Sequence, residues 1–194
     1  CVYLRQPDTL GLGHAVLCAQ PLINNEAFAV LLADDLIDST IPCLKQMLAI
    51  YQEKQSTIIA VQATSPEESE QYGIIGYKVK TGRLSQINNI IEKPSHKEAP
   101  SNLAVVGRYI LNSTIFPYLS TTAVGKGGEI QLTDAIARQL QDEIMHAWEF
   151  EGVRYDCGSK LGYLKATIAF ALKHPETKKP FTNYLKNFNT NSII

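Results

Sequence analysis

Cysteine is scarce in this sequence: 194 residues contain four, at Cys1, Cys18, Cys43 and Cys157. No pair has CxxC spacing and no histidine cluster accompanies them, which argues against structural zinc. A chain of this length needs no disulfide staples, so a reducing cytoplasm is the default compartment. Long apolar runs are also missing. A membrane helix needs roughly 20 apolar residues, and the longest run, Ala27 to Ala33, is far shorter. No membrane association is therefore expected. Nor is there an excess of either charge: 18 Lys and Arg face 19 Asp and Glu, for a net −1. Such a chain has no field-driven reason to bind nucleic acid or a membrane surface, although a local basic pocket for phosphates remains compatible with it. The opening segment, Cys1 to Gln6, lacks the apolar stretch of a signal peptide. It has no Met and begins inside what reads as a strand, which points to a piece of a longer polypeptide. Repeats, low-complexity tracts and linkers are absent.

What is present suits one compact domain over residues 1–194: 45% hydrophobic residues and only 19% charged. Val2 to Leu4 reads as a short strand, Gln6 to Gly13 as a loop, and His14 to Gln20 as a helix stopped by Pro21. The run Ala27 to Ala33, apolar on both faces, fits a central strand of a parallel sheet. Pro42 to about Gln55 is predicted helical, with Leu44, Met47, Leu48 and Tyr51 at helix spacing. Thr57 to Val61 is the next buried strand. This alternation is the signature of an α/β fold with parallel pairing. After Pro66 the pattern changes. Ile74 to Lys80 and Leu84 to Ile91 flank Thr81-Gly82 as a hairpin, and Leu103 to Leu111 is a further strand. A short helix is expected over Ser113 to Leu119, a flexible turn at Gly125 to Gly128, and an amphipathic helix from Glu129 to Gln141 burying Ile130, Ala137 and Leu140. Ile144 to Phe150 and Val153 to Tyr155 read as closing strands, Lys160 to Lys173 as a helix, and Pro180 to Phe188 as one more. The expected architecture is α/β with a mixed sheet and a helical part over residues 160–194.

Ligands of open α/β sheets sit beyond the carboxyl ends of the strands. Four places follow. Gly11-Leu12-Gly13-His14 joins a strand to a helix, where a nucleotide base or phosphate could meet free N–H groups; a tight connection needing positive φ explains the same glycines. Asp34 and Asp35 end a buried strand and could hold Mg²⁺; capping or a solvated loop are the plainer alternatives. Strand alternation puts these two aspartates on opposite faces, so only one of them should face a site. Glu92-Lys93-Pro94 ends a strand, with Glu92 able to accept from sugar hydroxyls and Lys93 able to neutralise a phosphate. Asp156-Cys157-Gly158 precedes a helix, and Asp156 reads as an N-cap or a second metal ligand. His14 and His146 read as ordinary helix and strand residues.

In order and spacing these segments resemble the sugar-nucleotidyltransferase family, and within it the bacterial UTP–glucose-1-phosphate uridylyltransferases. The stretches that carry the likeness are Arg5-Gln6 with Gly11 to Val16, Leu31 to Asp35, Tyr72 to Ile75, Ile91 to Pro94, Ala99 to Tyr109, Gly128 to Ile136, and Tyr155 to Gly158 with Lys160 to Tyr163. The resemblance implies a Rossmann-like nucleotidyltransferase fold and a Mg²⁺-dependent reaction of UTP with glucose 1-phosphate, giving UDP-glucose and diphosphate. It implies that Gln6 and Gly11 meet the uracil. It places Gly73, Glu92 and Glu129 at the sugar, Lys93 at the sugar phosphate, and Asp34 at the metal with Asp156 completing the site. Asp34 and Lys93 would then be the groups closest to the chemistry, with the cation between Asp34 and the nucleotide sugar and Glu92 and Lys93 along the opposite wall. The family also begins with a strand and a G-x-G-T-R loop that cradle the triphosphate, and this sequence does not contain them. The polypeptide by itself is therefore expected to bind nucleotide weakly and turn over poorly. Two other readings stay open: a thymidylyl or cytidylyl transferase for a sugar 1-phosphate, and a non-catalytic interaction or regulatory domain descended from the enzyme. Homodimers or homotetramers are implied, with C-terminal helices in the contacts; the apolar tail Ser192-Ile193-Ile194 is neutral on that point.

Overall fold

The structure, a computed structural model, describes residues 1–188. Its contacts fall into two compact units: Cys1–Leu32 with Ser39–Gly152, and Ala33–Asp38 with Val153–Ile194, the latter described to residue 188. The tail Ser192-Ile193-Ile194 lies outside the described residues.

The larger unit is built on a six-stranded mixed sheet in the order β1-β6-β3-β7-β5-β4. β3 (Ile58–Ala63) is central because four successive residues, Ile58 to Val61, are apolar and buried on both faces. It pairs antiparallel with β6 (Leu103–Leu111) and parallel with β7 (His146–Glu149). The hairpin of β4 (Gly73–Thr81) and β5 (Leu84–Glu92) closes over a two-residue loop. Gly82, at φ +58, takes the positive φ that such a loop requires. Helix α1 (Gly11–Cys18), α3 (Ile115–Thr121) and α4 (Leu132–Gln139) supply Val16, Ile115, Phe116, Leu119, Leu132 and Ile136 to one core with these strands. α2 (Cys43–Lys54) begins right after Pro42, whose ring presets the entry, and buries Met47 completely.

Four expectations are corrected here. Val2 to Leu4 is not a strand and is exposed; three residues with no sheet edge to pair with cannot hold an extended ladder. The apolar run at Ala27 gives a short strand, β1 (Phe28–Leu31), but it lies at the sheet's end and pairs antiparallel with β6. Phe28 stacks on Phe116 at 5.3 Å while Leu31 is 51% exposed, so only one face is covered. β1 and β3 do run in the same direction, but β6 lies between them, so their alternation with a helix does not make them neighbours. The amphipathic helix starts three residues later than predicted: Leu132, Ala135, Ile136 and Gln139 form its buried face, and Ile130, Ala137 and Leu140 are only half-buried.

The smaller unit pairs β2 (Asp35–Asp38) with β8 (Val153–Asp156), antiparallel, followed by α5 (Lys160–Ala171) and α6 (Pro175–Asn187). β2 was not anticipated: Asp-Leu-Ile-Asp carries charge at both ends and reads as a loop. It is a strand because Asp35 buries its charge against Arg154 of β8. Tyr155 packs edge-on to Phe170 at 6.0 Å, and Lys173 pairs with Asp38. None of the described helices is long and apolar enough to cross a membrane.

Candidate active site

In the larger unit six of the predicted residues fall along one strip. Gln6 is half-buried, and its Nε2 donates to the Gly11 carbonyl at 3.1 Å. Two backbone bonds stitch the start of α1 to the segment leading into α4: Ile130 N–H donates to Leu10 O at 2.8 Å, and Gly13 N–H to Ile130 O at 2.9 Å. The glycines are there for this approach. Gly11 has φ +84, and a Cβ on it would lie 2.6 Å from the Glu129 Cβ; one on Gly13 would lie 2.5 Å from Ile130 O. The close approach is thus to the chain's own residues 129 and 130, which is the tight-connection explanation. The same approach sets Gly11 beside Glu129, whose Oε2 accepts from Gln131 Nε2 at 3.1 Å.

From Gln131 the first turn of α4 continues to Thr133, which is buried. A Cβ on Gly73 would sit 3.3 Å from Thr133 Oγ1 and 3.2 Å from Glu92 Oε2. Gly73 and Glu92 face each other in the hairpin register, at the start of β4 and the end of β5. The missing side chain at Gly73 therefore lets a hydroxyl and a carboxylate close on the start of β4, two groups able to hydrogen-bond sugar hydroxyls. Lys93 follows at φ +45, a conformation costing about 1–2 kcal/mol for a residue with a side chain. It is held by its N–H to Tyr72 O at 3.0 Å and by the buried Pro94 after it. Its ammonium lies 3.7 Å from Glu92 Oε1, and the Lys93 side chain is 40% exposed. At that exposure the pair adds little stability, and the cation remains available to a phosphate.

Thr133 and Gln131 were not singled out from the sequence. Their only signal was membership of the stretch Gly128 to Ile136, and only the fold shows that Thr133 closes on Gly73.

The smaller unit holds the other two predicted residues. Asp35 is buried with Arg154, each side chain 7% exposed, whereas Asp34 is exposed. The two do not share a strand as expected: β1 ends at Leu31, Asp34 lies in the turn that follows and Asp35 opens β2, and the turn rather than strand alternation leaves one exposed and the other buried. Asp34 O accepts from Cys157 N–H at 2.8 Å, which brings the Asp156-Cys157-Gly158 turn against it. A Cβ on Gly158 would lie 3.1 Å from Asp156 Oδ1 and 3.2 Å from Asp34 Oδ2. Two carboxylate oxygens thus converge over a residue with no side chain. Arg154 Nη2, 3.5 Å from Asp156 Oδ2, offsets part of their repulsion. Asp156 does not cap α5: Ser159 does, its hydroxyl accepting from Gly162 N–H at 3.0 Å. That frees Asp156 from one of its two predicted roles. Among the described residues no group of three or more His, Cys, Asp or Glu is placed to hold a metal. Asp156 Oδ1 also accepts from Gly158 N–H at 3.0 Å, and two hard carboxylates are a donor set that Mg²⁺ accepts, since it binds through one or two carboxylates and keeps much of its water. The pair fits that ion.

The family pattern described as nucleotidyl transferase matches residues 1–171. The chain is 44% identical over 187 residues to a UTP–glucose-1-phosphate uridylyltransferase of Staphylococcus epidermidis, covering 96% of this chain and 65% of that protein. It is 46% identical over 184 residues to the protein of the same name from Staphylococcus haemolyticus, covering 95% of this chain and 64% of the relative. Among solved structures, it is similar to a UDP-glucose pyrophosphorylase complexed with UDP-glucose (TM-score 0.86, 46% identity, 89% of this chain and 66% of that one). It is also similar to a UTP-bound UGPase from Acinetobacter baumannii (TM-score 0.87, 39% identity, 96% of this chain and 65% of that one). The chain spans slightly less than two thirds of the length of these relatives. By this match, and by the fold shared with these structures, the chain belongs to the nucleotidyl transferase family.

Proposed function

We propose that this chain carries the base-, sugar- and metal-binding groups of an enzyme that makes UDP-glucose from UTP and glucose 1-phosphate. The observation that carries the reading is the strip of Gln6, Gly11, Glu129, Thr133, Gly73 and Glu92, which brings an amide, a hydroxyl and two carboxylates along one run of contacts. Gln6 offers the uracil edge an amide already oriented by Gly11, and the Gly11 backbone lies beside it. Glu92 and Glu129 accept from glucose hydroxyls beside the Gly73 backbone. Lys93, fixed in a strained conformation at the end of β5, neutralises the sugar phosphate. That phosphate oxygen is already anionic. It forms the new bond to the α-phosphorus of UTP as the bond to diphosphate breaks, so no strong general base is required, and positioning and charge neutralisation carry the rate. Asp34 and Asp156 would hold Mg²⁺, which when bound supplies positive charge to the phosphates.

The cytoplasm is the proposed compartment, consistent with four free cysteines. A homodimer or homotetramer is proposed through α5 and α6, where Leu161, Leu164, Ile168, Phe170 and Tyr184 are all at least 40% exposed. The deciding experiment for the substrate is a binding comparison by calorimetry of UDP-glucose, dTDP-glucose and CDP-glucose. UDP-glucose should bind most tightly, and Gln6→Ala should narrow the gap; equal affinities would remove the uridylyl reading in favour of a sibling transferase.

A further inference from the structure

Helix α1 carries a pair of side chains that nucleotidyl transfer leaves unused. His14 and Cys18 stand at i and i+4, so both rise from one face of the helix. His14 Nε2 lies 3.8 Å from Cys18 Sγ, and both residues are half-buried. A tetrahedral zinc ion bonded at about 2.3 Å to a thiolate and about 2.0–2.1 Å to an imidazole spans its two ligands by about 3.6 Å. The pair is already at that span. The far side of the ring is anchored as well: Nδ1 lies 3.2 Å from the Asp8 carbonyl oxygen, the kind of outer contact that orients a metal-bound imidazole.

The ring has two competing states. Nδ1 also lies 3.0 Å from Gln6 Nε2, and that same nitrogen donates to Gly11 O. A carbonyl only accepts, so the Gln6 amide cannot be flipped, and it can only donate toward His14. A ring with bare Nδ1 accepts from Gln6 and turns Nε2–H toward Cys18. A ring protonated at Nδ1 donates to Asp8 and points the Nε2 lone pair at the thiol. Only the second can ligate a metal through Nε2, the nitrogen beside Cys18.

We propose that His14 and Cys18 form a two-ligand site for a borderline divalent cation of the zinc class, its other positions taken by water. Binding releases the thiol proton to solvent, joins the ion to Sγ and Nε2, and fixes Nδ1–H on Asp8. The Gln6–His14 hydrogen bond is then lost, and Gln6 keeps only Gly11. On the reading that Gln6 meets the base, occupancy would loosen nucleotide recognition, but the site itself does not depend on that reading.

Cobalt(II) is the probe, because a cobalt–thiolate bond has a charge-transfer absorption that oxygen ligands do not give. The full chain carries Cys1→Ser and Cys157→Ser, removing the other thiols that are not buried. A thiolate–cobalt band is expected in this background, displaced by zinc, lost in Cys18→Ser, and requiring about tenfold or more cobalt in His14→Gln. No band at saturating cobalt, or one that survives Cys18→Ser, overturns the site. Should Cys18→Ser fail to fold, alkylation of Cys18 by iodoacetamide in the background chain decides, read by mass spectrometry. Zinc should slow it about tenfold or more, and an unchanged rate counts against the proposal.

Discussion

Asp34 and Asp35 are chemically identical neighbours with opposite surroundings, and replacing each by alanine should separate binding from stability. Asp35 is 5% exposed and meets Arg154, whose side chain is 7% exposed. Removing one member of such a buried pair strands the other charge and costs about 3–5 kcal/mol. Register places Asp35 opposite Asp156, so the loss falls on the two-stranded sheet of the smaller unit. Asp34 is exposed, and its carboxylate has a like charge for a neighbour at Gly158; Asp34→Ala should stay within about 0.5 kcal/mol of the parent. Urea unfolding should be followed by two probes. Far-UV circular dichroism includes α5 and α6 of the smaller unit, while Trp148, the single tryptophan, reports the larger one. Asp35→Ala should lower the midpoint of the dichroism transition, whereas Asp34→Ala should leave it in place and instead weaken Mn²⁺ binding, measured by electron paramagnetic resonance. Equal stability of the two variants, or strong Mn²⁺ binding by Asp34→Ala, would refute the division of labour.

Three further outcomes follow from the same geometry. Gly11→Ala must place a side chain at φ +84 against Glu129 and should cost about 2 kcal/mol or more in denaturant unfolding, whereas Gly73→Ala, which meets Glu92 Oε2 at 3.2 Å and the buried Thr133 at 3.3 Å, should cost less and weaken sugar-nucleotide binding. Burial, with Lys54 nearby, lowers the pKa of His146 from its ordinary 6.5, so the unfolded chain takes up that proton more readily; this contribution to stability is present above about pH 6.5 and lost as pH falls, and His146→Asn should flatten that slope in a pH series of thermal melts. Leu164→Lys on the exposed face of α5 should shift light-scattering mass toward the monomer while leaving the dichroism spectrum intact.

Much of the fold was legible where a local signal and the tertiary environment agree. Ile58 to Val61 are apolar without interruption and are the buried centre of the sheet; Leu103 to Leu111 is a strand with the predicted bounds; Thr81-Gly82 marks the hairpin. Errors fall where the answer depends on distant partners. Ala27 to Ala33 reads as central, yet β6 takes the place beside it and leaves Leu31 open. Asp35–Asp38 is a strand through a partner more than a hundred residues away. Of the candidate site, Gly73 and Glu92 were proposed separately, and the hairpin register makes them face each other with Thr133 beside them. Asp156 had two predicted roles, and the cap supplied by Ser159 removes one of them.

On the proposed reading, Glu92 holds the glucose of a uridine nucleotide sugar beside Gly73 and Thr133. Calorimetric titration of the parent chain and Glu92→Ala with UDP-glucose and with UDP tests it most directly. Glu92→Ala should lose about tenfold or more for UDP-glucose, roughly 1.4 kcal/mol, while UDP binds both chains alike. Unchanged UDP-glucose affinity in Glu92→Ala, or an equal loss for UDP, would contradict it.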